Sequence, residues 1–303
     1  MGEKSRAVTV EIPATTANLG PGYDCLGLAL GRHNEVTLAV ADEPEVLIEG
    51  DGAETLPRDS THLVLAAARA AADAAGEDLP PLRLHQVNRI PLARGLGSSS
   101  AAIVGGVLAA NELLDLGLSR RRMVDLATAV EGHPDNVAPA LLGGLTVCCT
   151  VDDEVVLERL DVAEGLASVV AVPDFEVATH DARRALPATI DHADGVFNLS
   201  RVGLIVAALV TGDFEKLREA MRDRLHQPYR AKLVPGMQEA ISAALEAGAC
   251  GAALSGSGPT IAAFTRTGGE EVGAAMVNAF RRKGVTAEAW GLPLSAEGAR
   301  IIS

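Results

Sequence analysis

Aromatic side chains are scarce in this chain: one Trp, two Tyr and five Phe among 303 residues. A core must therefore come from Ala, Val, Leu and Ile, and an apolar content of 48% is enough to build one. Basic residues are also in short supply. Lys and Arg number 26 against 40 Asp and Glu, for a net charge of −14. Without a basic patch, binding to a phosphate-coated nucleic acid is not expected. The longest basic run, Arg120-Arg121-Arg122, reads as the solvated start of a helix. Cysteine is limited to Cys25, Cys148, Cys149 and Cys250, with no metal-ligand spacing. These read as buried, reduced thiols, which points to a reducing compartment and a cytoplasmic protein. No apolar run reaches the roughly 20 residues of a membrane span. Residues 1–6 have no apolar signal segment behind them, so no membrane partner is expected.

The length suits one large or two ordinary domains. Alternation at Val8, Val10 and Ile12 predicts a first strand, followed by a Gly-, Asn- and Pro-rich loop from Pro13 to Asp24. Strands are expected over 27–30, 35–40, 46–49 and 82–88, and helices over 60–75, 99–116 and 120–131. Ser119 is placed to cap the third helix, and Gly132 with Pro134 to end it. A hairpin is expected around Asp152-Asp153, joining 145–150 to 155–160. Further on come a strand at 167–172 and helices at 194–211, 214–224 and 237–247. Strands at 250–254 and 260–265, a helix at 270–283 and a strand at 286–290 follow. This order reads as α+β, with a boundary near 162–166 that divides the chain into 1–165 and 166–303.

Residues 91–101 carry the strongest functional signal: Pro91, Leu92, Ala93, Arg94, Gly95, Leu96, Gly97, Ser98, Ser99, Ser100 and Ala101. Two glycines and three serines sit where a strand turns into a helix. Glycine lets the backbone approach a ligand, and the first helical turn has free N–H groups and partial positive charge. Such a place suits a phosphate. A common NTPase loop would need Gly-Lys-Ser/Thr, and lysine is missing here. A dinucleotide fingerprint would need a third glycine at position 100. A plain Ser/Gly turn that caps a buried helix is the competing reading.

Glu131 ends the helix after that loop. A carboxylate beside a phosphate is a natural magnesium ligand, and Ser98 or Ser99 could add a hydroxyl. A solvent-facing Glu at a helix-ending turn is the alternative. In the first loop, Asn18 and Asp24 could bind an amine or hydroxyl, or merely cap turns.

Three segments, in order, resemble the GHMP small-molecule kinases: the loop at 14–24, the Gly-Ser loop at 91–101, and the run 251–260. Residues 14–30 and 131–140 together resemble the homoserine kinases of that superfamily. The resemblance implies an N-terminal domain with a left-handed βαβ unit and a ferredoxin-like C-terminal domain. It also implies transfer of the ATP γ-phosphoryl to the hydroxyl of L-homoserine, for threonine biosynthesis. By the same resemblance, residues 91–101 wrap the ATP phosphates, and Ser99 and Glu131 hold Mg2+. Asn18, Asp24, His133, Thr179, Arg183 and Arg230 surround the amino acid, and Asn136 lies beside the reacting hydroxyl. Asn136 and Arg183 are expected to serve catalysis, with Asp135 as a further candidate. Charge fits these roles: Asp24 can pair an ammonium, and Arg183 or Arg230 can fork onto a carboxylate. His62 stands where many relatives place the Asn that helps seat adenine. His180, His192 and His226 read as surface or turn residues. Relatives are commonly dimeric, which makes a homodimer an expectation here. A kinase acting on mevalonate or an isoprenoid precursor, and a silent binding protein on the same scaffold, are the alternatives.

Overall fold

A computed structural model describes residues 7–152 and 154–303. The expectation for residues 1–6, and Asp153 of the hairpin turn, lie outside the described residues.

Two sheets organise the molecule. The first takes β1 (Ala7–Ala17), β2 (Leu26–Val40), β3 (Glu45–Gly50), β4 (Leu82–Asn88), β5 (Leu145–Val151) and β6 (Glu154–Leu160). Its helices are α1 (Leu63–Ala75), α2 (Ser98–Leu113), α3 (Arg120–Glu131) and α4 (Pro134–Leu142). β3 and β4 are parallel and joined through α1, which makes a βαβ unit. β2 is long enough to serve two neighbours, β4 along Glu35–Val40 and β5 along Leu26–Leu28.

β1 runs five residues beyond the expected strand because Pro13 does not end it. The register with β2 slips between Pro13 and Ala14, and pairing then resumes to Ala17. The expected break between 30 and 35 is likewise absent, since β2 is continuous. These extensions carry the polar loop of residues 18–24 to the edge of the cleft described below.

The second sheet takes β7 (Ala167–Pro173), β8 (Gly251–Leu254), β9 (Ile261–Thr265) and β10 (Ala287–Leu292). Its order is β10-β7-β9-β8, all antiparallel, with α9 (Met237–Glu246) before β8 and α10 (Gly269–Arg282) before β10. This is the ferredoxin-like arrangement. Between β7 and α9 the chain makes α5 (Thr179–Arg184), α6 (His192–Thr211), α7 (Leu217–Ala220) and α8 (Gln227–Arg230). β11 (Arg300–Ile301) returns to pair with β1, so the C-terminal tail closes the first sheet.

The cores are aliphatic, as composition requires, and two of the five Phe, Phe264 and Phe280, are fully buried. α1 and α2 approach closely through alanines and glycine: a Cβ at Gly106 would meet the Val64 carbonyl at 2.3 Å. α6 has the length and apolarity of a membrane span. Ile205, Ala208 and Leu209 on it belong to a core shared with β2 and α7, and its Asn198 is buried in a hydrogen-bond network.

Several readings need correction. The expected helix over 214–224 is a short 3-10 turn at Phe214–Lys216 followed by α7, which ends at Ala220, and the chain then bends at 224–226. Pro134 does not only stop α3; it starts α4 at a position where its missing N–H costs nothing. Arg120 is not simply solvated, because Nη1 donates to the carbonyls of Leu141 and Ala299. Cys149 is exposed, whereas Cys148 is buried and its thiol is pushed up to about 12 by burial. All four cysteines are free.

Candidate functional site

The Gly-Ser loop is held open toward a cleft by its two left-handed glycines. Gly95 has φ 77° and Gly97 φ 72°, a region L side chains rarely adopt. A Cβ at Gly95 would meet the Ser255 carbonyl at 2.2 Å, and one at Gly97 would meet Thr15 Oγ1 at 2.0 Å. The Ser255 hydroxyl lies 2.6 Å from Gly95 O, which ties the loop to the run at 251–260. Gly97 caps α2 without any side-chain hydrogen bond, and no acidic residue lies in the first turn. The first-turn N–H groups are therefore left for an anion.

The cleft has a volume of about 260 Å³. Leu92, Ala93, Arg94, Gly95, Gly97, Ser98 and Ser99 line it. Pro91, Leu96, Ser100 and Ala101 do not, although all four were expected at ATP. Leu96 and Ala101 point into the core, and Ser100 is fully buried beneath the loop. A strand-to-helix turn cannot present every side chain to one side.

Glu131 comes to the loop from the end of α3. Its Oε1 accepts from Ser99 Oγ at 2.6 Å and from Ser100 Oγ at 2.8 Å. Ser98 instead lies 3.3 Å from the Ile90 carbonyl. His133 and Asp135 flank the same spot, sharing a hydrogen bond of 2.6 Å between Nδ1 and Oδ1. Burial pushes the His133 imidazole down, but Asp135 and Glu131 outweigh it and its pKa is raised. Asn136 Oδ1 accepts from the Thr15 hydroxyl at 2.7 Å, which directs the amide N–H2 elsewhere. Thr15 is a partner that sequence reasoning missed; it lies inside the part of β1 that was read as loop.

At the other end stands the charged pair. Arg183 grips Asp24 with both terminal nitrogens, each at 2.8 Å, and Nη1 also donates to Tyr23 OH at 2.8 Å. Burial lowers the Arg183 pKa, but the Asp24 carboxylate more than compensates and the pKa is raised. Asn18 is buried, takes the Asp24 N–H at 3.0 Å and donates to Gly256 O at 3.0 Å. Arg230 donates to that same carbonyl at 3.0 Å. Thr179 lies 3.4 Å from Ser257 Oγ. Gly256 and Ser257 also line the cleft; the Ser-Gly-Ser-Gly-Pro run was the signal for them.

His62 caps α1 by accepting the Val64 N–H at Nδ1, 3.2 Å away. Its Nε2 and the Gln86 Oε1 are buried without partners. Both residues line the cleft beside Leu56, Pro57 and Leu63. Gln86 was read only as a strand residue. His180 and His192 are exposed as expected, but His226 is fully buried, which corrects its surface reading.

Comparison with known proteins decides the family. Residues 62–144 match the GHMP kinases N terminal domain and residues 205–282 match GHMP kinases C terminal. A homoserine kinase of Moorella thermoacetica is 47% identical over 97% of this chain and 99% of its own length. The chain belongs to the homoserine kinases of the GHMP kinase family. Another homoserine kinase, from Desulfitobacterium hafniense, is 47% identical over 97% of this chain and all of its own length. The crystal structure of homoserine kinase from Cytophaga hutchinsonii superposes with a TM-score of 0.89 at 30% identity, covering 100% of this chain and 99% of that one. The GHMP kinase fold implied by residues 14–30, 91–101 and 131–140 is thus the fold observed.

Proposed function

We propose that the chain transfers the γ-phosphoryl group of ATP to the hydroxyl of L-homoserine, giving O-phospho-L-homoserine for threonine biosynthesis. The observation that carries this reading is one cleft with two differently charged ends. The uncapped α2 N-terminus lies at one end, and Asp24, Arg183 and Arg230 lie at the other. The first suits a triphosphate, the second an amino-acid zwitterion. Asp24 takes the ammonium, while Arg183 and Arg230 take the carboxylate. Asn18, His133 and Thr179 complete the enclosure. The hydroxyl then points to Asn136, whose amide donates to the reacting oxygens. A new O–P bond forms as the bond to the β-phosphate breaks, the hydroxyl proton passes to a phosphate oxygen and on to water, and ADP leaves. Positioning and charge neutralisation supply most of the acceleration. Asp135, hydrogen-bonded to His133, holds that imidazole in place.

His62 and Gln86 offer a donor and an acceptor to adenine in an apolar slot, which fits a flat heterocycle with both kinds of group on its edge. The Ser99 hydroxyl and Glu131 carboxylate, 2.6 Å apart, are hard oxygen donors suited to Mg2+, whose remaining positions phosphate oxygens and water would fill. Bound there, Mg2+ would neutralise charge on the phosphates. Among the described residues no group of three or more His, Cys, Asp and Glu forms a self-sufficient metal site. The division into domains 1–165 and 166–303, a cytoplasmic location suited to the free thiols, and a homodimer complete the proposal. No nucleic acid or membrane takes part.

The test is an ADP-release assay with purified protein, Mg2+ and ATP. Turnover is expected with L-homoserine. Turnover of mevalonate or another isoprenoid precursor, with homoserine inert, would replace this reading with another GHMP kinase activity.

A further inference from the structure

His226 precedes α8 and takes no part in the reaction as described, yet its side chain is fully buried between two walls of the cleft. Its Nε2 lies 2.6 Å from the Gly20 carbonyl, in the loop that carries Asn18 and Asp24. Its Nδ1 lies 3.3 Å from Arg230 Nη1. A guanidinium has no lone pair to offer and stays protonated, so Nδ1 must present its own lone pair. A carbonyl can only accept, so the hydrogen belongs on Nε2. The two contacts together specify a neutral ring in one tautomer.

The surroundings maintain that state. Asp223 Oδ2 lies 3.5 Å from Nε2, but that carboxylate is occupied by the N–H groups of Leu225, His226 and Gln227 and by Asn198 Nδ2. The Tyr23 ring lies 5.5 Å away, centroid to centroid. Burial holds the imidazole pKa below its ordinary value; Asp223 and Asp24 pull it up, and Arg230 pushes it down.

We infer that His226 is a positioning residue for substrate recognition: its neutral ring accepts from Arg230 and donates to Gly20, locking the guanidinium to the loop that carries Asn18 and Asp24. The inference rests on the proposed amino-acid substrate, whose carboxylate Arg230 receives. A merely space-filling buried histidine would not require one tautomer, nor would its replacement act on one substrate alone. Arg230 Nη1 already donates to Gly256 O at 3.0 Å, so the contact with His226 fixes the rotation of the group rather than supplying its only partner.

Two variants separate the contacts. His226→Gln can reach Gly20 with an amide N–H but places no acceptor at the Nδ1 position. His226→Asn keeps an acceptor near Nδ1 and loses the reach to Gly20. The homoserine KM is expected to rise about tenfold in H226Q and less in H226N, with the ATP KM unchanged in both. Equal KM increases in the two variants would overturn the inference. Should the variants not fold, 15N NMR of the wild-type protein decides: a neutral Nε2–H ring near pH 7 supports it, and an Nδ1–H ring or an imidazolium refutes it. If the wild-type enzyme does not phosphorylate homoserine, the substrate assignment fails, and the tautomer measurement still judges the Arg230 lock on its own.

Discussion

Glu131 shows how much one side chain's chemistry could be anticipated and how much could not. Its place at a helix end beside the Gly-Ser loop was legible in the sequence. The sequence left Ser98 and Ser99 as equal partners; the backbone turn aims Ser98 toward Ile90 and leaves Ser99 and Ser100 on Glu131. Glu131→Gln retains a carbonyl oxygen for those hydroxyls but removes the charge. The melting temperature should therefore change little while kcat falls about 100-fold, read by calorimetry and by the ADP-release assay. A near-normal kcat would overturn the proposed metal role of Glu131. Thr15, Gln86 and His226 were not legible as site residues. Each is an ordinary residue in an ordinary pattern, and only the fold brings it to the cleft or to its distant partner: Asn136 for Thr15, Gly20 for His226, and the cleft wall beside His62 for Gln86.

Among the elements, helices with strong start and stop chemistry were legible to within a few residues. α3 runs from Arg120 to Glu131 as expected, with Ser119 accepting the Arg122 N–H at 3.2 Å and Gly132 in the left-handed conformation. Removing that cap by Ser119→Ala should cost about 1 kcal/mol. The melting temperature then drops by roughly 2–4 °C, with kcat unchanged because Glu131 sits at the opposite end of the helix. Elements without such punctuation were missed. α5 and α8 span six and four residues, too short for an apolar period to show. β11 has two residues and exists only because β1 offers an edge to pair with. The break of 214–224 into a 3-10 turn and α7 goes with a local cap: the Asp223 carboxylate accepts from the N–H groups of residues 225–227, which starts α8 instead of prolonging α7.

The whole molecule places its cleft between the chain segments of two sheets, and its stability responds to pH through histidines near that junction. Burial depresses the pKa of His226 and of His62, so both rings stay neutral in the folded protein below the ordinary value near 6.5. The unfolded chain takes up those protons, and stability is lost as pH falls from 6.5 toward the depressed folded values. The raised pKa of His133 works in the other sense: its contribution is full below 6.5 and fades as pH rises through the raised value. With two groups against one, and His226 the most buried, the melting temperature should decline on going from about pH 7 to about pH 5.5. A rise over that interval would mean that His133 dominates. Composition, apolar alternation and helix punctuation determined by themselves an aliphatic α+β chain with a phosphate-type loop, because these are local properties that each segment carries alone. The motifs also contained the family. Only the tertiary structure decided which side chains meet, since Asp24 with Arg183, Ser99 with Glu131 and His226 with Gly20 are set by packing between sheets and helices, where contact distance bears no relation to distance along the chain.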